Sequence, residues 1–412
     1  MEIRPILSAL LRNKTGPILV ALQVAISLAI LSNALHIVNV RQGVATRPSG
    51  LQDEASVFNI AVRPLTERSH NEQLADGKRQ AAALRAVAGV VSVAHVNQTP
   101  MSQSGSTNSL AADRKQVQPS ANGAFYVSPD PLVATWGLKL VEGRDLRPSD
   151  VLELDSSVKS DDFPKAVLVT RALAQKVWPD SASVVGKTLY FGTGSGADAA
   201  EVVGVVERLV SPSAQVSEQG EFSVIVPIRL TNAFGTIFTI RAEPGQRDRV
   251  MKEAEAALRA NGADPLILRV RTVDFDRAKR YQADTALAWM LIAVSALLLV
   301  ITASGIVGMA SLWVTQRRKQ IGVRRALGAR RIDILRYFVT ENLMITSAGV
   351  VGGVALAIGL NALLVSQLEM ARLPLAYLSA GAALFWLLGV LAVYGPAWRA
   401  ASISPATATR GA

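Results

Sequence analysis

Four apolar stretches, at residues 17–40, 285–314, 334–366 and 375–393, constrain this chain more than anything else in it. Each reaches the ~20 residues that a helix needs to cross ~30 Å of hydrocarbon, so four transmembrane helices are predicted. The gaps between them are unequal, because residues 41–282 separate the first stretch from the second while the later connections are short. The expected fold class is therefore a membrane α-helical protein with four transmembrane helices and a large α+β extracytoplasmic domain of two lobes. Composition fits such segregation: half of the 412 residues are apolar and the mean hydropathy is +0.29. That is high for a soluble globule and low for a chain embedded throughout.

Charge chooses the sides. The net charge is +11, a balance that raises nucleic acid as a partner, but the excess lies in the wrong place for it. Residues 41–282 hold 29 Lys/Arg against 27 Asp/Glu, whereas the remainder holds 14 against 5. Arg4, Arg12 and Lys14 precede the first span, and eight basic residues from Arg317 to Arg336 lie between or beside the second and third. By the positive-inside rule, residues 1–16, the 315–333 loop and the 394–412 tail are cytoplasmic, and 41–282 is outside. The connection before the fourth span carries only Glu369 and Arg372, as an outside loop should. Nucleic acid is not expected as a partner; membrane lipid is. A cleaved signal peptide is the alternative for the first span, with Ser32, Asn33 and Ala34 at a cleavage-like spacing, but the apolar run exceeds a usual signal-peptide core.

No proline occurs from Thr272 to Arg318, so one helix is predicted over 274–319, ~65 to 70 Å at 1.5 Å per residue. The alternative is an ordinary span preceded by a separate stalk helix. Within the spans, Gly349 and Gly353 are four apart, as are Ser304 and Gly308, and Ala21, Ala25 and Ala29 form a similar series. Small residues at this spacing let helices approach closely and support a packed dimer. Glu341 falls near the start of the third span, where a carboxylate is costly; it is either an interfacial residue beside Arg336 or a functional one.

In the outside domain, 57–62 and 90–96 read as strands flanking a helix at 71–88, and 237–241 and 266–273 flank a second helix at 246–261. These two βαβ-like units, about 50–100 and 235–273, are expected to form a membrane-proximal lobe. Strands at 166–169, 188–191, 201–206 and 222–228, with a helix near 171–178, make a distal lobe at about 124–230. Residues 101–123 and 211–220 are rich in Ser, Asn, Gln and Gly and read as mobile loops.

Several motifs mislead. Residues 181–188, SASVVGKT, end as a phosphate-binding loop ends, but the first glycine is missing and a strand follows. Gly192, Gly194 and Ala197 match a dinucleotide fingerprint with no helix after it, so a hairpin turn is the better reading. With no cysteine, and with His36, His70 and His95 scattered, no metal site is expected, and the acids from Asp150 to Asp162 read as a solvated loop. No convergent acid, base and nucleophile is visible, so no catalytic residue and no intrinsic cofactor are expected.

Residues 316–360, QRRKQIGVRRALGARRIDILRYFVTENLMITSAGVVGGVALAIGL, resemble the FtsX-like permease domain of MacB-type ABC transporters. The matching features are the basic run at Arg317–Lys319, the core from Ile321 to Ala329, Glu341, and Gly349, Gly352 and Gly353. The tail from Pro396 to Arg410 resembles the family's closing motif, with Thr407 where an acid is usual, and residues 126–146, 166–189 and 201–206 resemble MacB-type outside domains in order. The permease domain is placed at about 285–405. The resemblance implies a type VII, mechanotransmission exporter in a bacterial inner membrane: a permease dimer, homo- or heterodimeric, driven by a cytoplasmic ABC ATPase that binds the ATP. With about 16 residues before the first span, that ATPase is expected as a separate polypeptide. A periplasmic adaptor and an outer-membrane channel are possible partners. Family substrates include macrolides, peptides, siderophores and lipoproteins, among which the residues do not choose.

The implied ATPase contact is Arg317, Arg318, Ile321, Gly322, Arg324, Arg325, Ala326, Leu327, Gly328 and Ala329. Gly328 divides the basic run into two short helical pieces, and Ile321, Val323, Ala326 and Leu327 can fill a groove while the arginines meet acidic or lipid groups. A purely lipid-facing segment is the other reading. An FtsX-like scaffold that activates a cell-wall hydrolase is the alternative function, though such outside domains are typically smaller; a membrane-anchored sensor is a third reading, not expected because the tail after Pro396 is short.

Overall fold

The computed structural model describes residues 10, 14–155, 162–231, 235–261, 265–368 and 372–402. Arg4, Arg12, the middle of the 150–162 acid run, Glu369 and the tail beyond Ser402, Thr407 and Arg410 included, lie outside the described residues. In chain order the elements are α1 (Thr15–Ala45), β1 (Val57–Pro64), α2 (His70–Arg85), β2 (Val90–Val96), β3 (Thr107–Ala111), β4 (Ala121–Val127), α3 (Leu132–Trp136), β5 (Leu140–Gly143) and β6 (Leu152–Leu154). They continue with β7 (Ala166–Thr170), α4 (Arg171–Val177), β8 (Thr188–Phe191), β9 (Asp198–Val206), β10 (Ser223–Val226), β11 (Ile228–Leu230), β12 (Thr236–Ala242), α5 (Arg247–Ala260) and β13 (Leu266–Thr272). The chain then runs through α6 (Val273–Gln316), α7 (Arg318–Ala326), α8 (Arg331–Leu368) and α9 (Leu375–Ala401). Two compact units result: residues 1–43 with 284–412, and residues 44–283.

In the helical unit, α1, α6, α8 and α9 are each long and apolar enough to cross a membrane. The helices outrun the apolar stretches at several ends because hydropathy marks only the segment in hydrocarbon; α9, for example, continues past Pro396 to Ala401. The most apolar window of α1 is 56% buried against 17% for α6, so α1 is the enclosed helix. Glycines make this possible. A Cβ on Gly349 would lie 2.7 Å from the Ala21 carbonyl oxygen, and one on Gly353 would meet Leu28 and the Ala25 carbonyl within 3.0 Å. Gly381 of α9 makes the same room for Leu28 from another side. Buried polar groups add bonds between these helices: Ser27 and Thr302 share a hydroxyl bond of 2.9 Å, and the Asn33 amide donates to the Ala357 carbonyl at 3.2 Å. Arg41 and Asp284 form an ion pair between α1 and α6.

The α+β unit is built on two main sheets. The first has the order β13-β1-β12-β2, antiparallel throughout. The two βαβ-like segments therefore interleave: β12 lies between β1 and β2, and β1 lies between β12 and β13. Alternation assigns the faces. Phe58, Ile60, Val93, Phe238 and Ile240 pack beneath α2 and α5 with Leu84, Val250 and Leu258, while Val57, Ala94 and Val96 join Trp136 and Tyr126 in a second core. Trp136 Nε1 donates to Thr239 Oγ1 at 2.8 Å, so burying the indole leaves no donor unmet.

The second sheet has the order β5-β9-β7-β10-β4-β3-β8, and an extra β8–β9 pairing closes six strands into a barrel. β9 permits closure because its nine residues pair β8 over their first half and β5 over their second. The structure corrects two loop expectations. Residues 101–123 contain β3, whose Leu110 and Ala111 are buried while polar residues face outward, a pattern that composition disguises. Residues 211–220 are fixed rather than loose, since Met101 and Gln103 donate to the Ser211 and Pro212 carbonyls and Ala214 is buried. The single strand expected over 222–228 is divided at Pro227, which has no N–H for the ladder; β11 pairs instead with β6. Gly192 and Gly194 turn the β8–β9 hairpin with φ of +94° and +87°.

Two outcomes follow from this packing. Gly349→Ala lowers the melting temperature of the purified chain by driving α8 off the α1 backbone, at about 1 to 3 kcal/mol for overpacking, whereas Gly359→Ala, on the same helix with nothing near its Cβ position, does not. The second concerns His95, which stands in the helix-facing row of β2 opposite Phe238. Burial, with Arg229 adding and Asp130 opposing, brings its pKa down to about 4. Between about pH 6.5 and about 4 the unfolded chain takes up a proton that the folded chain refuses, so stability present above 6.5 is lost as pH falls toward 4. Melting curves at pH 7.5 and 5 should show a smaller loss for His95→Gln than for the unmodified chain; an equal loss would mean that the imidazole is not held neutral.

Candidate coupling site

The segment between α6 and α8 is short and turns twice. α6 ends at Gln316 and α7 begins at Arg318, with Arg317 as its N-cap. Gly328 then adopts φ +96°, a conformation that L side chains rarely take, and closes α7 with bonds from Gly328 and Ala329 to the Arg325 and Arg324 carbonyls. Asp333 accepts from the Arg330 N–H at 3.0 Å and so satisfies an otherwise orphan donor at the start of α8.

Arg317 anchors this arrangement. Its Nη1 donates to Glu341 Oε2 at 2.8 Å and Oε1 at 3.0 Å, and reaches the Tyr337 hydroxyl at 3.4 Å. Glu341 is 1% exposed. A carboxylate buried among apolar side chains needs a charged partner with several donors, which a guanidinium supplies. Tyr337 also lies beneath Arg324, 5.3 Å from its ring centre, so one aromatic ring serves both arginines. Arg336, the neighbour suggested by sequence, points away. Five residues along a helix amount to ~140° of rotation, which puts Arg336 and Glu341 on different faces, and Arg336 is exposed.

With Arg317 held inward, the rest of α7 has two distinct sides. Ile321 and Gly322 are buried, Ile321 in the same apolar cluster as Ala397, Ala400 and Ala401 of α9. Ile321 is therefore a structural anchor rather than part of an outward apolar surface, a correction to its expected place. Val323 is 54% exposed and Leu327 83%; Arg318, Arg324, Ala326 and Gly328 are exposed with them, and Arg325 and Ala329 are half-buried. Of the small residues singled out in α6 and α8, Gly349 and Gly353 pack against α1 within the chain, while Ser304 and Gly308 face outward, with nothing within 4 Å of a Cβ at Gly308.

In the α+β unit a second arginine plays a comparable part. Arg277, near the start of α6, makes a two-pronged pair with Glu54 at 2.6 and 3.1 Å, and its Nη1 donates to the carbonyls of Ala45 and Arg47 at 3.1 and 3.0 Å. Because Ala45 is the last residue of α1, one guanidinium holds the ends of both helices to Glu54. Arg280 donates to the Ser213 and Ala214 carbonyls and pins the 211–220 loop. Sequence reading passed over both; they sit in the run DFDRAKR, where no pattern distinguishes a clamped arginine from a solvated one.

Residues 292–405 match the family model described as FtsX-like permease C-terminal. The chain is 27% identical over 215 residues to the pyoverdine export ATP-binding/permease protein PvdT of Pseudomonas syringae pv. tomato, covering 50% of this chain and 32% of that one. It is 37% identical over 124 residues to the macrolide export ATP-binding/permease protein MacB of Bradyrhizobium diazoefficiens, covering 30% and 19%. To the MacB of Agrobacterium fabrum it is 28% identical over 280 residues, covering 65% and 40%. The chain thus spans less than half the length of these curated relatives.

The buried pair makes an asymmetric prediction. Glu341→Ala leaves the partly buried Arg317 guanidinium without its counter-ion and destabilises the chain by about 1 to 3 kcal/mol, whereas Arg317→Met with Glu341→Leu recovers most of that loss. Melting of the purified variants in mild detergent decides; a double variant no more stable than Glu341→Ala would mean that the pair does not act as a unit.

Proposed function

Because the chain belongs to the MacB-type, FtsX-like ABC transporter permeases, we propose that it is the membrane part of an exporter whose ABC ATPase docks on α7 and the Gly328 turn. The observation that carries this reading is the two-sidedness of α7. Ile321 and the Arg317–Glu341 pair fix one side, and the other offers Val323 and Leu327, 54% and 83% exposed, among arginines. A partner groove lined with apolar and acidic side chains suits such a helix. ATP is bound by that partner, either a subunit or a domain outside these residues.

In the proposed orientation the termini and α7 are cytoplasmic and the α+β unit is outside, in line with the basic residues flanking the spans. α6, 44 residues without a break, carries the ATPase's motion outward. The open Ser304–Gly308 face of α6 receives a second permease chain. No substrate path through the helices is invoked; the work is done by movement of the α+β unit on a substrate brought to it.

Affinity purification of the tagged chain from native membranes, with identification of bound proteins and an ATPase assay, tests this. An ABC ATPase is expected with the unmodified chain, and Leu327→Asp is expected to reduce its recovery about tenfold or more, as loss of a central apolar anchor does, with the amount of inserted chain unchanged. Undiminished recovery removes α7 as the docking site. Recovery of a cell-wall hydrolase without export activity would favour a regulatory scaffold instead.

A further inference from the structure

An open groove of about 630 Å³ runs along the α+β unit between residues 48–52 and the segment from α3 to the start of β5. That volume falls within the roughly 300–1,000 Å³ of small-molecule sites. Its floor is apolar: Leu51 and Leu138 are 8% and 6% exposed and belong to the Trp136 core, and Val133 packs beside them.

Both walls are fixed in place. The Gln52 N–H donates to the Trp136 carbonyl at 3.0 Å, and the Arg241 guanidinium donates to the Thr135 and Gln52 carbonyls at 2.8 Å each, which ties one wall to the other. The Val210 N–H holds the Ser49 carbonyl at 2.9 Å. Gly50 and Gly137, with φ of +97° and +61°, stand where a side chain would not fit. A Cβ at the first would collide with the Arg208 carbonyl, and one at the second would lie 2.8 Å from the Gln52 Cβ. A groove held in this way needs little ordering when a ligand enters.

Charge gives the sign of the occupant. Among the described residues the charged ones lining the groove are Lys139 and Asp145, and Lys139 is paired with Glu207 at 3.0 Å. Asp145 is half-buried, and its carboxylate accepts one bond, from the Leu146 N–H at 2.7 Å. Arg144 stands next to it but is turned to Asp150, with bonds of 2.7 and 3.4 Å, and donates only to the Asp145 backbone carbonyl. Among the described residues the Asp145 carboxylate forms no ion pair. Burial disfavours its charge and raises its pKa, with the Leu146 bond and Arg144 opposing. A cation brought into the groove would stabilise the ionised form. We infer that this groove binds an organic ammonium ion, with its N–H groups on Asp145 and its apolar part along Leu51, Val133 and Leu138. The site stands whether or not an ATPase docks on α7.

Phenethylamine is a suitable probe, and phenylacetate its anionic counterpart of similar shape. With the full chain in nanodiscs of zwitterionic lipid, saturation-transfer NMR should show transfer to phenethylamine well above that from empty discs, and none in excess to phenylacetate. Asp145→Asn keeps the acceptor for the Leu146 N–H while removing the charge, and should weaken phenethylamine binding about tenfold or more, as loss of a charged partner does. Ala134→Trp, at an exposed position on the groove wall, should abolish the excess by filling the space. Melting temperatures verify folding; should Asp145→Asn unfold the domain, Ala134→Trp and the comparison of the two probes decide. Equal transfer to both probes, or binding that survives either substitution in a folded protein, overturns the assignment.

Discussion

Everything in the helical unit depends on how closely α8 comes to α1. In hydrocarbon there is no hydrophobic gain in pressing one apolar helix against another, so association rests on close packing and on polar groups that find each other. Gly349 and Gly353 bring α8 onto the α1 backbone at Ala21 and Ala25, and Gly381 brings α9 onto Leu28. Once that approach is made, Asn33 can reach the Ala357 carbonyl and Ser27 can reach Thr302. The same enclosure of α1 leaves α6 with its outer face open, and Trp289, Leu297, Val300 and Leu312 there are all more than half exposed.

The second constraint is electrostatic. A carboxylate that is 1% exposed in an apolar surrounding is tolerable only with a partner fixed against it. Arg317 meets that need with two bonds of 2.8 and 3.0 Å, and so sets the register of α7 on α8. Which side of α7 is turned outward is therefore decided by an interior ion pair rather than by α7's own amphipathicity. Val323 and Leu327 are left exposed as a consequence.

What could be read from the residues follows the range of the interactions. The four long helices show as hydropathy, and β2 and β8 as short β-branched or aromatic runs, because each is specified within its own length. Barrel closure is not, since it depends on β9 pairing β8, β5 and β7 at once. β3 was hidden by its polar outer face, although the buried Leu110 and Ala111 were a faint signal. At the site, Glu341 stood out as an acid in an apolar run, and helical periodicity alone would have excluded Arg336. Naming Arg317 instead required the turn at Gly328 to fold α7 back onto α8. The spacing that picked out Gly349 and Gly353 also picked out Ser304 and Gly308, and nothing in the spacing says which pair is used within the chain.

Net charge treats the arginines of this chain as equal, but their surroundings do not. Arg277, Arg280 and Arg317 each bind fixed acceptors: Glu54 with two carbonyls, two loop carbonyls, and Glu341. Two of them lie in the first turns of α6 and the third just beyond its last residue. Planar guanidinium forks hold the orientation of a helix end where a lysine's point charge would not. α6 also contains no proline and has only Gly305 and Gly308 as glycines, so its interior has few places to yield. The orientation of each end of α6 is thus set by side chains that a tally of net charge would have counted merely as charge.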